Sequence, residues 1–352
     1  METTFDLIPT FSLTPHRLSI FKTKVKLIND HVFEKHALSK TKKIEALKNI
    51  YVDGYETEKR FHNFKISENG RKRMLLKINW LYFMSKSRHK KSITGKEIYN
   101  FRINFLTLTL PSKQKHPTSV ITNTCFNQFM TEIREKYEMQ NFVWRLEFQK
   151  NGNVHYHIVT DTFTDFHIVQ KIWNRCTEKL GYVAEYTKKH ALMSLNDYVK
   201  EYNDGGKVDF EVLKKRYLKG RSLHWKVPNS VDVKSVAGQK KIAFYISKYF
   251  SKKGNKEGEC NEYDNMENSL GLRLWFCSRS LSKLDKITDF IPAFSVDLLY
   301  CITSAKDCFE VVHEYCTSYF YSFSSLLAEA KGVIHKVLYT YASKKGYKPC
   351  IT

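Results

Sequence analysis

An α+β fold, built on a central antiparallel sheet with flanking helices, is what this sequence of 352 residues predicts. Three observations carry that expectation. The run NFRINFLTLTLP (100–111) alternates apolar and polar side chains with period two and stops at Pro111. The run WRLEFQKNGNVHYHIV (144–159) reads as two strands around an Asn-Gly turn. Segments 118–138 and 165–180 carry apolar residues at helical spacing. A doubly wound parallel sheet is disfavoured, because no glycine-rich strand-to-helix turn occurs.

Each element follows in order. Residues 1–55 are basic and contain helical stretches such as TKKIEALKNIYV, so they read as an arm or small helical cap. In 60–84, two strand-like runs flank Asn69-Gly70, which predicts a hairpin. In 100–111, Leu106, Leu108 and Leu110 share one face, and Phe105, Thr107 and Thr109 share the other. The helix over 118–138 places Phe126, Phe129, Met130, Ile133 and Tyr137 at helix spacing, and that over 165–180 places Ile168, Ile172, Trp173 and Cys176 inward. Residues 185–224 are polar and charged and read as an insertion. SVDVKSV (230–236) and LRLWFCS (272–278) read as strands, with a helix at 240–253 between them. From about 286 onward the pattern is helical. The expected domains are a cap over 1–55, a main domain over 56–285 and a helical extension over 286–352.

Charge narrows the partners. Lys and Arg number 58 against 36 acids, a formal surplus of +22 that favours a polyanion. Nucleic acid is the first candidate and an anionic membrane surface the second. The eight cysteines form no Cys-x-x-Cys pair, which argues against a zinc module or a disulfide framework. The N-terminus lacks the pattern of a signal peptide, and no apolar run approaches the ~20 residues of a membrane span. No phosphate loop of the G-x-x-x-x-G-K-[ST] type occurs.

The 144–159 hairpin carries the first candidate chemistry. His155 and His157 lie two apart on a strand and so share a face. A two-residue turn at Asn151-Gly152 would mix polar and apolar residues on both faces. A three-residue loop, Asn151-Gly152-Asn153, sorts them: Glu147 opposite His157, Gln149 opposite His155, and Trp144, Leu146, Phe148, Tyr156 and Ile158 on the buried side. Two imidazoles and one carboxylate suit a divalent ion with open positions; Mg2+ or Mn2+ fits phosphoryl transfer, and the ligand types also suit zinc.

The second is the segment KKIAFYISKYFSKK. Spacings of three and four put Tyr245, Lys248, Tyr249 and Lys252 on one helix face, beside an apolar stripe of Ile242, Ala243, Ile246 and Phe250. From 240 to 256 there are six lysines and no acid. A phenol, with an ordinary pKa near ~10, becomes a better nucleophile beside cations that favour the phenolate.

These three stretches, FLTLTLP, a His-x-His strand and AFYISKYFSKK, resemble in order the motifs of HUH endonucleases. The two-tyrosine helix is most similar to that of rolling-circle replication initiators of single-stranded-DNA phages and plasmids. The resemblance covers roughly 100–285 and includes RLWFCSRSLS (273–282). It implies a central antiparallel sheet bearing the metal ligands His155, His157 and Glu147. Tyr245 and Tyr249 are implied as nucleophiles, with Lys248 and Lys252 beside them. It further implies Mn2+ or Mg2+ as cofactor, single-stranded origin DNA as substrate, host helicase and polymerase as partners, and the cytoplasm of a bacterial host as location. The expected activity is nicking and joining through a 5′-phosphotyrosine. Tyr156 departs from the usual aliphatic residue between the histidines, and 185–224 has no counterpart. A two-tyrosine transposase would share the site, although such enzymes often carry a cysteine cluster. A non-catalytic nucleic-acid-binding protein would leave the Glu-His-His set unexplained, and a zinc hydrolase would leave the tyrosines idle.

Overall fold

The structure, a computed structural model, describes residues 5–26, 66–91, 98–149, 151–203, 205–236, 272–290 and 296–350. In chain order its elements begin with β1 (Phe5–Thr14), β2 (Arg17–Lys26), α1 (Glu68–Met84), β3 (Arg88–Lys91), β4 (Ile98–Phe101) and β5 (Ile103–Thr109). Then come α2 (Thr118–Ile121), a π-helical turn (Thr122–Phe126), α3 (Asn127–Tyr137), β6 (Phe142–Phe148), β7 (Val154–Thr160) and α4 (Phe166–Glu178). Helices α5 (Tyr182–Ala191), α6 (Leu195–Tyr202) and α7 (Phe210–Ser222) lead to β8 (Val231–Val236) and β9 (Trp275–Cys277). The chain continues through α8 (Arg279–Ser282), β10 (Ile287–Phe290), α9 (Val296–Thr303), β11 (Phe309–His313), β12 (Cys316–Phe320) and α10 (Ala328–Lys344). Mixed helices and antiparallel sheets make this an α+β fold, as the sequence predicts.

Two compact units result. One comprises Met1–Arg60 and Lys283–Tyr347; the other comprises Phe61–Ser282 and Lys348–Thr352. The first holds an antiparallel sheet ordered β10-β1-β2-β12-β11. Residues 5–26, the described part of the N-terminal arm, are strand, and the helical stretch read at 41–52 lies outside the described residues. The segment after 286, expected to be helical, supplies three strands as well as α9 and α10. β2 pairs with β12, and the buried Ser19 and Ser318 hydroxyls meet at 2.8 Å, so the partner strand lies 299 residues away in the chain.

The second unit holds the sheet ordered β8-β5-β7-β6-β9, antiparallel throughout. Its alternation is the one read from 100–111. Leu106, Leu108, Leu110, Trp144, Leu146, Phe148, Tyr156 and Ile158 face a core shared with Phe126, Phe129 and Ile133 and with Ile172 and Trp173 of α4. Asp165 caps α4, accepting from the backbone N–H groups of His167 and Ile168.

The hairpin expected at Asn69-Gly70 is instead the first turn of α1. Ser67 caps that helix, its hydroxyl accepting from Gly70 N–H at 3.1 Å. Met74, Ile78 and Leu81 then fall at helical spacing and are buried, as is Lys77, whose ammonium donates to the Ser282 carbonyl. The cap decides the case because it satisfies an N–H that a helix start leaves open.

Tyr156 sits on the core side of β7, stacked on Phe126 with ring centroids 3.9 Å apart, its hydroxyl 2.8 Å from that of Thr122. Tyr156→Phe keeps the stack and removes one buried hydrogen bond, so denaturant unfolding is expected to show a loss of about 1 kcal/mol.

Candidate metal centre

Period-two geometry sends Thr107, Arg145, Glu147, His155 and His157 to the face opposite the core. Glu147 pairs across the ladder with His155, and Arg145 with His157. The register is therefore shifted by two residues from the one expected, in which Glu147 lay opposite His157. Gln149 N–H donates to Asn153 O at 2.8 Å and Gly152 N–H to Gln149 O at 2.9 Å, so the loop closes between 149 and 153, with Gly152 at φ +83°. Asn153 is held from outside the hairpin: its side chain accepts from Gln114 N–H and donates to Ser112 O. A shift of two preserves the face of every side chain.

The three expected ligands do converge. One ligand atom from each of Glu147, His155 and His157 lies within 4.8 Å of the others. The two imidazole centroids are 4.5 Å apart, and His157 Nε2 is 2.8 Å from Glu147 Oε1. His157 is buried at 2% exposure, whereas Glu147 and His155 are half-buried. His157 thus forms the floor of the set, with Glu147 and His155 partly exposed beside it. Nitrogen and carboxylate donors without thiolate fit a divalent ion that retains exchangeable positions.

Two further residues complete the cluster, and the expectations missed both. Thr107 Oγ1 lies 3.2 Å from His157 Nδ1, which orients the ring so that Nε2 points at the carboxylate. Arg145, 3% exposed, brings Nη2 to 4.0 Å from Glu147 Oε2. Burial lowers the pKa of its guanidinium, Glu147 pulls it back up, and Arg71 adds to the lowering. Parity was the available signal: Arg145 stands two before Glu147, and Thr107 was already assigned to the face away from the leucines. On the neighbouring edge, Trp275 of β9 pairs with Arg145.

Tyr245, Lys248, Tyr249 and Lys252 lie outside the described residues. The segment that carries them leaves Val236, the end of the edge strand β8, and returns at Trp275, the start of the other edge strand β9.

Among the described residues, no helix is long and apolar enough to cross a membrane. Neither curated proteins nor solved structures return a match to the chain. Residues 103–254, the stretch that runs from β5 through both histidines and both tyrosines, do match the family model of the replication-associated proteins of the ORF2 and gene-2-protein type, consistent with a family of rolling-circle replication initiators.

Proposed function

We propose that the protein initiates rolling-circle replication by nicking and rejoining single-stranded DNA at an origin through a tyrosine nucleophile. The convergence of Glu147, His155 and His157 on one sheet face, inside a segment similar to replication-associated proteins, is the observation that carries this reading. A divalent ion held by these three residues would polarise a scissile phosphate and neutralise the charge that builds on it. Thr107 and Arg145 keep the ligand side chains in place.

The tyrosine, Tyr245 or Tyr249, attacks phosphorus through its phenol oxygen. The bond from phosphorus to the 3′ oxygen breaks, and the proton lost by the phenol is regained at that 3′ oxygen. A 5′-phosphotyrosine and a free 3′-hydroxyl result, the second a primer for a polymerase. One phosphodiester replaces another, so no nucleotide hydrolysis is needed. Lys248, with Lys252 next to it, stabilises the phenolate as attacking and leaving group.

The test is incubation of the full chain with single-stranded DNA carrying its replicon's origin, with Mn2+ or with chelator. The expected product is a protein–DNA adduct that survives denaturing electrophoresis, present with Mn2+ and absent with chelator. Origin binding with no adduct under any divalent ion would instead identify a non-catalytic binding protein.

A further inference from the structure

The 185–224 stretch, read from sequence as an insertion of no assigned role, is a folded helical module. Tyr198, Leu213, Tyr217 and Trp225 form its own core. The chain turns sharply after α7, with His224 and Trp225 at φ +50° and +56°. Trp225 thereby packs against Gly220, where a Cβ would come within 2.1 Å of the indole ring. The module is also tied to the sheet-bearing domain. Gln170 and Asn174 of α4 donate to Pro228 O at 3.0 and 3.1 Å where the chain leaves the module, and within it the Thr187 hydroxyl donates to Trp225 O at 3.1 Å. It is a folded projection from the domain that carries the metal ligands.

One stretch of its surface, at the end of α7, carries a single sign of charge. From 214 to 226 the chain holds Lys214, Lys215, Arg216, Lys219, Arg221 and Lys226 and no acid. All but Lys214 are exposed. Lys214 has Glu211 at 3.8 Å, and the described residues offer the other five no carboxylate within 4 Å. The acids of α7, Asp209 and Glu211, sit at its N-terminus, where Asp209 caps the helix. Phosphates would be repelled at that end and attracted along the rest. Leu218 stands among the cations at 54% exposure, an apolar contact suited to sugar edges or thymine methyls. Lys215, Arg216 and Lys219 fall within about 100° of one another around a helix of 13 residues, about 20 Å long, a preformed face matched to a duplex rather than to a flexible single strand.

We infer that α7 and the turn after it form a second nucleic-acid site, which grips duplex DNA while the metal face works on a single strand. This rests on the proposed nicking function, and the experiment separates the two. The probes are a 30-base-pair duplex, followed by fluorescence anisotropy across a salt series, and a short single strand carrying the nick sequence. The variant combines Lys215→Gln, Lys219→Gln, Arg221→Gln and Lys226→Gln, all exposed, with circular dichroism as the folding control. Each phosphate contact contributes about 0.9 to the slope of log K against log salt. The variant should therefore lose up to about 3.6 from that slope and bind duplex at least about 100-fold more weakly at 0.1 M salt. It should form the adduct with the short single strand as the wild type does. A version with arginine at the same four positions should retain duplex binding. An unchanged slope in the glutamine variant overturns the inference, as does loss of binding to phosphatidylserine vesicles with duplex binding intact. If the wild type forms no adduct with the short strand, the nicking function fails instead, and the duplex series still decides this site.

Discussion

His155→Ala and Glu147→Gln are each expected to reduce Mn2+-dependent nicking by about 1,000-fold or more while leaving the fold intact. The magnitude follows from what a ligand does in a three-residue set. Removing one of three donors leaves an ion held too weakly to stay bound at millimolar metal, and the electrostatic help it gives to a phosphoryl transition state is several kcal/mol; about 4 kcal/mol is 1,000-fold. Glu147→Gln preserves the side chain's volume, and His155 is partly exposed. His157 is a poorer test residue, because at 2% exposure it also packs the sheet and positions Glu147 at 2.8 Å. Thr107→Val should have a smaller effect, about 10-fold in Mn2+ affinity, since it removes only the group that orients His157. Manganese titration followed by electron paramagnetic resonance reads affinity directly, and nicking at saturating metal reads the remainder. Unchanged Mn2+ affinity in both His155→Ala and Glu147→Gln would mean that these side chains hold no ion.

That site was legible in the sequence to the extent that parity governs it. Glu147, His155 and His157 share a face in any antiparallel register of the same parity, so an error of two residues left the prediction of convergence standing. The register itself depends on Asn153, which is bonded to Ser112 and Gln114 in a loop some forty residues earlier. No local pattern contains that bond. The ends of the chain were misread for two reasons: the local hairpins β1-β2 and β11-β12 turn without an Asn-Gly type of pair, and the pairings that complete their sheet, β1 with β10 and β2 with β12, join strands far apart in the chain. In α1, the Asn69-Gly70 pair outweighed a helical stripe interrupted by the buried Lys77. The insertion hid its core because tyrosines and one tryptophan, spaced among lysines, do not register as an apolar stripe; Tyr198, Tyr217 and Trp225 are nonetheless buried. Helices α3 and α4 were plain, since their faces meet the sheet directly and repeat at the helical period.

Tyr245→Phe together with Tyr249→Phe is expected to abolish the covalent protein–DNA adduct altogether, the largest effect of any substitution in the chain. Phenylalanine retains the ring and deletes only the oxygen that would form the bond to phosphorus, so loss of the adduct with unaltered DNA binding isolates the chemical step. The single variants discriminate further. On the helix that the spacing of 240–253 predicts, four residues are about 6 Å of axial rise, close enough for two phenols to reach one phosphate in turn. If they alternate, either single variant should still form an adduct within about tenfold of wild type, because one nucleophile suffices for one cleavage. Release of a closed circle should then fail in both, since the second cleavage needs a free phenol while the first still holds the 5′ end. A single variant that keeps both cleavage and circle release would reduce the mechanism to one tyrosine and a water-regenerated site. An adduct that persists in the double variant would place the nucleophile elsewhere. Lys248→Met should lower the adduct rate most at low pH, where fewer phenols are ionised and the ammonium has the most to contribute. A purely DNA-binding role for that lysine would show no such dependence on pH, and would instead follow salt.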